Sequence, residues 1–166
     1  MKPLAHLTTK TPIGALSVIC DEKVVVSAGF TSVAQLREKL GGPDQQRKLV
    51  AMKSRTWLTQ LIDRYFDGDF DVFNSLEVRQ PGSAFSQRAW LAMRKIPSGR
   101  VISYRELAKK AGSPAAVRAA GTACGRNAIA PIIPCHRIIR SDGAIGNYGY
   151  GAHKKVWLLR HEGAIE

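Results

Sequence analysis

The stretch Ser103-Tyr-Arg-Glu-Leu-Ala-Lys-Lys-Ala-Gly-Ser-Pro-Ala-Ala-Val-Arg-Ala-Ala-Gly-Thr-Ala-Cys124 contains two helix starts and one sharp stop. Ser103, followed three residues later by Glu106, is a capping box. The hydroxyl accepts from a first-turn amide, and the glutamate reaches back to the cap amide. This predicts a helix to about residue 111, where Gly112 breaks it. Ser113 is then expected as the next N-cap, with Pro114 at the first helical position, where its fixed φ and missing N–H cost nothing. The second helix is predicted over about residues 115–124. Two short helices joined by a tight glycine-containing turn match the helix-turn-helix pattern.

The second helix is nearly all small residues, and Arg118 is its only long side chain, with Arg126 just past its end. Sequence readout of bases usually takes Arg, Asn or Gln at several helix positions. A helix of this kind is either an alanine-rich packing helix or one that approaches DNA closely and reads little. The charge balance favours the second. Residues 81–166 carry 14 Lys/Arg against 4 Asp/Glu, whereas residues 1–80 carry 11 against 9. Nearly all of the chain's net charge of +12 therefore lies in its second half, and a nucleic-acid backbone is the usual partner of such a surface.

Further out, the first half reads as a small α/β unit. Residues 4–9, 16–20 and 24–30 are predicted strands, rich in β-branched residues and separated by turn signals. Gly41-Gly42-Pro43 reads as a loop. Trp57, Leu58, Leu61, Ile62, Tyr65 and Phe66 fall at helical spacing over residues 56–66, and residues 72–78 read as one more strand. Asp63, Asp67, Asp69 and Asp71 are expected to be a solvated helix end rather than a metal site. Gln80-Pro81-Gly82-Ser83 reads as a linker, which gives domains over residues 1–80 and 81–166. The next helix carries Phe85, Ala89, Met93 and Ile96 on one face.

With 166 residues and 45% hydrophobic content, disorder is not expected. No apolar run reaches the ~20 residues of a membrane span, and no secretory signal is evident, so a cytoplasmic protein is expected. Cys20, Cys124 and Cys135 are too few and too widely spaced for a disulfide framework. Without close Cys/His pairs, metal binding is not expected either.

Cys135 and His136 stand side by side in Pro131-Ile-Ile-Pro-Cys-His-Arg-Ile-Ile-Arg140. A thiol attacks well only as the thiolate, and activation calls for a histidine oriented by a carboxylate. If the segment is extended, the two side chains point to opposite faces, so a bridging water rather than a direct bond is expected between them. Four carboxylates are available in this half. Glu106 is committed to the capping box, Asp142-Gly143 reads as a turn, and Glu166 is terminal. Glu162 remains, at the end of a predicted helix over residues 153–161, where it opposes the helix dipole. The intervening Gly143-Ala-Ile-Gly-Asn-Tyr-Gly-Tyr-Gly151 allows close backbone approach and offers Tyr148 and Tyr150 as planar surfaces.

Taken together, these motifs resemble the O6-alkylguanine-DNA alkyltransferases, also called methylated-DNA–protein-cysteine methyltransferases. The resemblance rests on Ile102-Ser103-Tyr104, Val117-Arg118-Ala119, Asn127, Pro134-Cys135-His136-Arg137, Gly146-Asn147-Tyr148, Lys155 and Leu158-Leu159 to Glu162. It covers about residues 85–163 and is loose in the first half. It implies a ribonuclease-H-like α/β domain followed by a mainly helical, winged-helix-like domain with a helix-turn-helix. The implied activity is repair by irreversible transfer of an alkyl group from O6 of guanine in double-stranded DNA to Cys135, once per molecule and without a cofactor. DNA would be approached from the minor groove with the base flipped out. A monomer is implied, with cooperativity along the duplex left open.

The resemblance also assigns roles. Cys135 is the alkyl acceptor, His136 a base acting through water, and Glu162 its orienting group. Tyr104 assists flipping and protonates the guanine ring, and Asn127 supports the active-site structure. Arg118 fills the gap in the base stack, and Ser103, Ala119, Thr122 and Arg126 complete the DNA surface. Ile138, Tyr148, Gly149 and Lys155 form the base pocket. The chain departs from the family's habits at Pro131, at Gln80-Pro81-Gly82 and at Gly149. It also shows no zinc-binding N-terminal module, so a regulatory role like that of the adaptive-response fusion proteins is not expected. Three other classes fit some of these features: a DNA-binding module without catalysis, a Cys-His-Glu hydrolase, and a helix-turn-helix regulator.

Overall fold

The structure, a computed structural model, describes residues 1–53 and 55–166. It divides into two compact units, residues 1–81 with 128–132 and residues 82–127 with 133–166.

The first unit is built on a five-stranded mixed sheet. Strands β1 (Leu4–Thr11), β2 (Gly14–Asp21) and β3 (Val24–Gly29) form an antiparallel meander. Helix α1 (Val33–Glu38) follows, capped by the Ser32 side chain, and lays Leu36 into a core with Leu4, Ile19, Val26 and Leu40. A short helix α2 (Gly42–Gln45) occupies the segment expected as a loop, with Pro43 in its first turn. Strand β4 (Leu49–Ala51) then joins β1 in parallel. Helix α3 (Trp57–Phe66) is capped by Thr56 in a box closed by Thr59. The strand expected over residues 72–78 shrinks to β5 (Glu77–Val78), parallel to β3. Val72 and Phe73 are instead buried in turns, with the Phe73 ring stacked 4.9 Å from that of Tyr65. Their apolar character reports that burial, not a ladder.

Residues 128–132 belong to this unit because they bond to it. Ala28 N donates to Ala128 O at 2.8 Å and Ala130 N to Ala28 O at 3.1 Å. Gln80 Oε1 accepts from Ala128 N at 2.8 Å. Buried backbone groups must find partners, and here β3 supplies them.

In the second unit, helix α4 (Ala84–Arg94) is capped by Ser83 and buries Ala89, Trp90 and Met93. Strand β6 (Ile102–Ser103) leads into α5 (Tyr104–Lys110), whose Ser103–Glu106 capping box is present on both sides. Replacing Ser103 with Ala is expected to lower stability by about 0.5–2 kcal/mol, read as a shifted urea midpoint at unchanged slope; an unmoved midpoint contradicts the cap.

Helix α6 (Val117–Gly125) starts later than expected, from Ala116 without a side-chain cap. Ser113 does not cap it. Its carbonyl accepts from Ala116 N at 2.9 Å, so Pro114 sits inside a β-turn, where its fixed φ is equally at home. Strand β7 (Ile138–Ile139) pairs in parallel with β6. Helix α7 (Ala152–His161) ends at Glu162, with Gly163 at φ 78°. No helix among the described residues is long and apolar enough to cross a membrane.

Candidate active site

The approach to Cys135 is set by a closed neck. Asn127, 5% exposed, donates from Nδ2 to Ile133 O at 2.8 Å, bridging the two ends of the 128–132 excursion. Past Pro134, which has no N–H to give a ladder, Cys135–Arg137 forms a 3₁₀ turn rather than the extended segment assumed from alternation. Successive side chains in such a turn point about 120° apart, so the two neighbours still diverge. Cys135 lines a cavity, while His136 is fully buried and does not.

His136 Nε2 lies 3.0 Å from Glu162 Oε2. A carboxylate only accepts, so Nε2 carries the proton and donates it. That leaves Nδ1 as a bare acceptor, and it is buried with no hydrogen-bond partner among the described residues. Burial pushes the imidazole below its ordinary value against the pull of Glu162. The geometry yields a neutral histidine, held by one nitrogen and open at the other.

Arg137 completes the arrangement, and the sequence reading gave it no role. Its Nε donates to Glu162 Oε1 and its Nη2 to Oε2, both at 2.9 Å, while Nη1 donates to Ile96 O at 2.7 Å. Burial alone would raise the Glu162 carboxyl, but the bonds from His136 and the Arg137 fork hold it well below the usual carboxylate range. A signal for this residue did exist. An arginine between apolar pairs, in a segment buried from residue 127 to 138, has to find an anion.

The cavity holding Cys135 has a volume of about 650 Å³. Helix α6 gives it one face: Val117, Arg118, Gly121, Cys124 and Gly125 line it. Its opposite face packs inside the unit, with Ala120 and Ala123 fully buried and Trp90 Nε1 donating to Ala123 O at 2.9 Å. The alanine-rich helix is thus a packing helix on one side and an open wall on the other. Tyr104, Tyr148 and Gly149 also line the cavity. Burial pushes the Tyr104 phenol up to about 12, so it keeps its proton at neutral pH. Gly146 has φ 80°, a left-handed conformation that strains any other residue, and a Cβ there would stand a tight 3.3 Å from Tyr104 Oη.

The remaining expected residues lie outside the lining. Lys155 is 1% exposed, and its Nζ donates to Ile138 O at 2.6 Å and Asn147 O at 3.2 Å. It ties β7 to the glycine-rich loop. Burial lowers its pKa, and the nearby thiols at Cys135 and Cys124 oppose that. Ile138 is buried, with its carbonyl engaged by Lys155. Ser103 is half-buried at its cap, Ala119 is half-buried, and Thr122 and Arg126 are exposed on α6 and at its end.

Cys124 and Arg140 line the cavity without having been expected there. Burial, helped by Cys135, pushes the Cys124 thiol up. It stays protonated and is a poor nucleophile. Cys20, fully buried and pushed up to about 12 by burial, is equally inert. Among the described residues no group of three or more His, Cys, Asp or Glu could hold a metal ion.

Comparison with known proteins places the chain among its relatives. Residues 84–164 match the family described as 6-O-methylguanine DNA methyltransferase, DNA binding domain. The chain is 37% identical over 159 residues to the methylated-DNA–protein-cysteine methyltransferase of Salmonella typhimurium, covering 93% of each. It is 32% identical over 162 residues to that of Haemophilus influenzae, covering 98% of this chain and 88% of the relative. Among solved structures, Mycobacterium tuberculosis OGT in complex with DNA superposes with a TM-score of 0.79 at 31% identity, covering 96% of this chain and 93% of that one.

Proposed function

The chain belongs to the methylated-DNA–protein-cysteine methyltransferase family, and from that premise we propose that it repairs O6-alkylguanine in DNA by taking the alkyl group onto Cys135. The observation that carries the mechanism is the open Nδ1 of His136, next in sequence to the cavity-lining thiol of Cys135.

The reaction is a displacement at the alkyl carbon. The Cys135 thiol gives its proton through a water to His136 Nδ1. Glu162 orients the ring by its bond to Nε2 and stabilises the imidazolium that forms. The thiolate sulfur bonds to the carbon as the carbon–O6 bond breaks. Tyr104 donates its phenol proton to the guanine ring, assistance typically worth ~10²–10⁴-fold in rate. The thioether that results has no route back to the thiol, so each molecule acts once.

In this reading α5 and α6 act as a helix-turn-helix that enters the minor groove, in a winged-helix-like domain that begins near residue 81, and the first unit is ribonuclease-H-like. Arg118, exposed and on the cavity edge, fills the place of the flipped base, an extrusion that costs a few kcal/mol and less for a damaged pair. Ser103, Ala119, Thr122 and Arg126 contact the backbone. Tyr148, Gly149 and the chain near Ile138 wall the base, and Lys155 acts on it through the loop it anchors.

Mass spectrometry after incubation with a duplex containing one O6-methylguanine tests this. The expected result is a single added methyl on the Cys135 peptide and an unmodified guanine. A duplex that stays methylated beside reduced, unmodified Cys135 rules the proposal out.

A further inference from the structure

A second concavity in the same unit shares no lining residue with the one that holds Cys135. It is a groove of about 630 Å³. One wall is Arg88 and Leu91 on α4 with Lys95 at its C-cap, whose i, i+3, i+7 spacing places them on one helical face. The other is Glu106 and Lys110 on α5, and Arg100 lies on the loop between the helices.

Two features of the groove stand together. Leu91 is 61% exposed, more than any other large apolar side chain among the described residues except Met1. Around it are four cations and one carboxylate, and that carboxylate is engaged: Glu106 Oε1 accepts from Ser103 N and Oγ at 3.3 Å. Among the described residues, none of Arg88, Lys95, Arg100 and Lys110 is in an ion pair.

We propose that this groove docks an acidic amphipathic segment of another protein, with apolar side chains on Leu91 and carboxylates against the four cations. Charge complementarity selects an anionic partner, and Leu91 selects among anions. A phosphate backbone has nothing apolar to cover it, whereas a peptide that alternates acids with apolar residues covers both. A lone exposed leucine is ordinary on a protein surface, but set among four cations in a groove between two helices it suits an amphipathic peptide. Along α5, Glu106 and Lys110 lie about 200° and 240° around the helix from Tyr104. The groove and the Cys135 cavity therefore open on different faces of α5, which allows a partner and a duplex to be held together.

The test is fluorescence anisotropy on the full chain, with a labelled peptide alternating Asp with Phe and Leu. The control peptide has Ser at every apolar position and the same charge. Saturable binding with a micromolar Kd is expected, about tenfold or more weaker for the Ser peptide and for Leu91→Glu. Saturating undamaged duplex should leave the peptide bound. Leu91→Glu should transfer methyl at the parental rate, which shows that it folds. Equal binding of the two peptides reduces the groove to charge attraction and overturns the proposal. Displacement by the duplex assigns the groove to DNA and overturns it too, as does the lack of saturable binding.

Discussion

Cys135→Ala accepts no methyl group from O6-methylguanine duplex at any protein concentration, while its affinity for the duplex stays within a few fold of the parent. The loss is total because no second nucleophile stands ready. Cys124 shares the cavity, but burial keeps its thiol protonated, and Cys20 is sealed in the core of the first unit. The substitution removes only a small side chain that is 8% exposed at the cavity wall, so the fold should survive. Transfer of labelled methyl from the duplex, with filter binding alongside, measures both halves. Residual methylation, mapped to Cys124, would show that the cavity and not Cys135 defines the acceptor.

Glu162→Gln is expected to act on rate and stability together. The carboxylate accepts from His136 and twice from Arg137, and its side chain is wholly buried. Removing one partner of a buried charged set costs about 3–5 kcal/mol, because the remaining charge stays buried without its counterion. The rate of transfer should fall by about 10²–10⁴-fold, the usual contribution of a general base, since His136 loses its orienting anion.

The acid profile separates the two groups. His136 is held below its ordinary value of 6.5, so its stabilising contribution is complete above that pH and is lost as pH falls below it. Glu162 is held below its ordinary value of 4.5, so its contribution is complete above 4.5 and is lost as pH falls towards its depressed value. Parental stability should therefore decline in two stages on acidification. In Glu162→Gln the lower stage should vanish and the upper one persist. Urea denaturation across pH 3–8, as roughly two-state curves, reads this directly. An unchanged lower stage would mean that another carboxylate governs acid unfolding, with Asp21, held to about 2 by its bonds to Arg47, the first to examine.

Much of this molecule follows from chemistry within a few residues of chain. The Ser103–Glu106 box and the first three strands are local, and so were readable. Glu162 was found by removing carboxylates that already had local duties. Local patterns misled where one residue type serves two geometries. Pro114 suits a β-turn as well as a helix start, and Val72 and Phe73 suit a buried turn as well as a strand.

What only the tertiary structure decided are contacts between distant parts of the chain. Ser27 Oγ donates to Ala128 O across 101 residues, and Ala28 pairs with the same segment; this draws residues 128–132 into the first unit. Arg137 reaches Ile96 O across 41 residues and Glu162 across 25. Cys124 comes to share a cavity with Cys135 because Ala120 and Ala123 turn inward on α6. Cys135, His136 and Glu162 were singled out by residue type and elimination, and the resemblance gave them the roles of acceptor, base and orienting acid that are proposed above. The arginine that fixes the acid, and the second thiol beside the acceptor, were decided by packing, because a buried charge takes whichever partner the folded chain brings within reach.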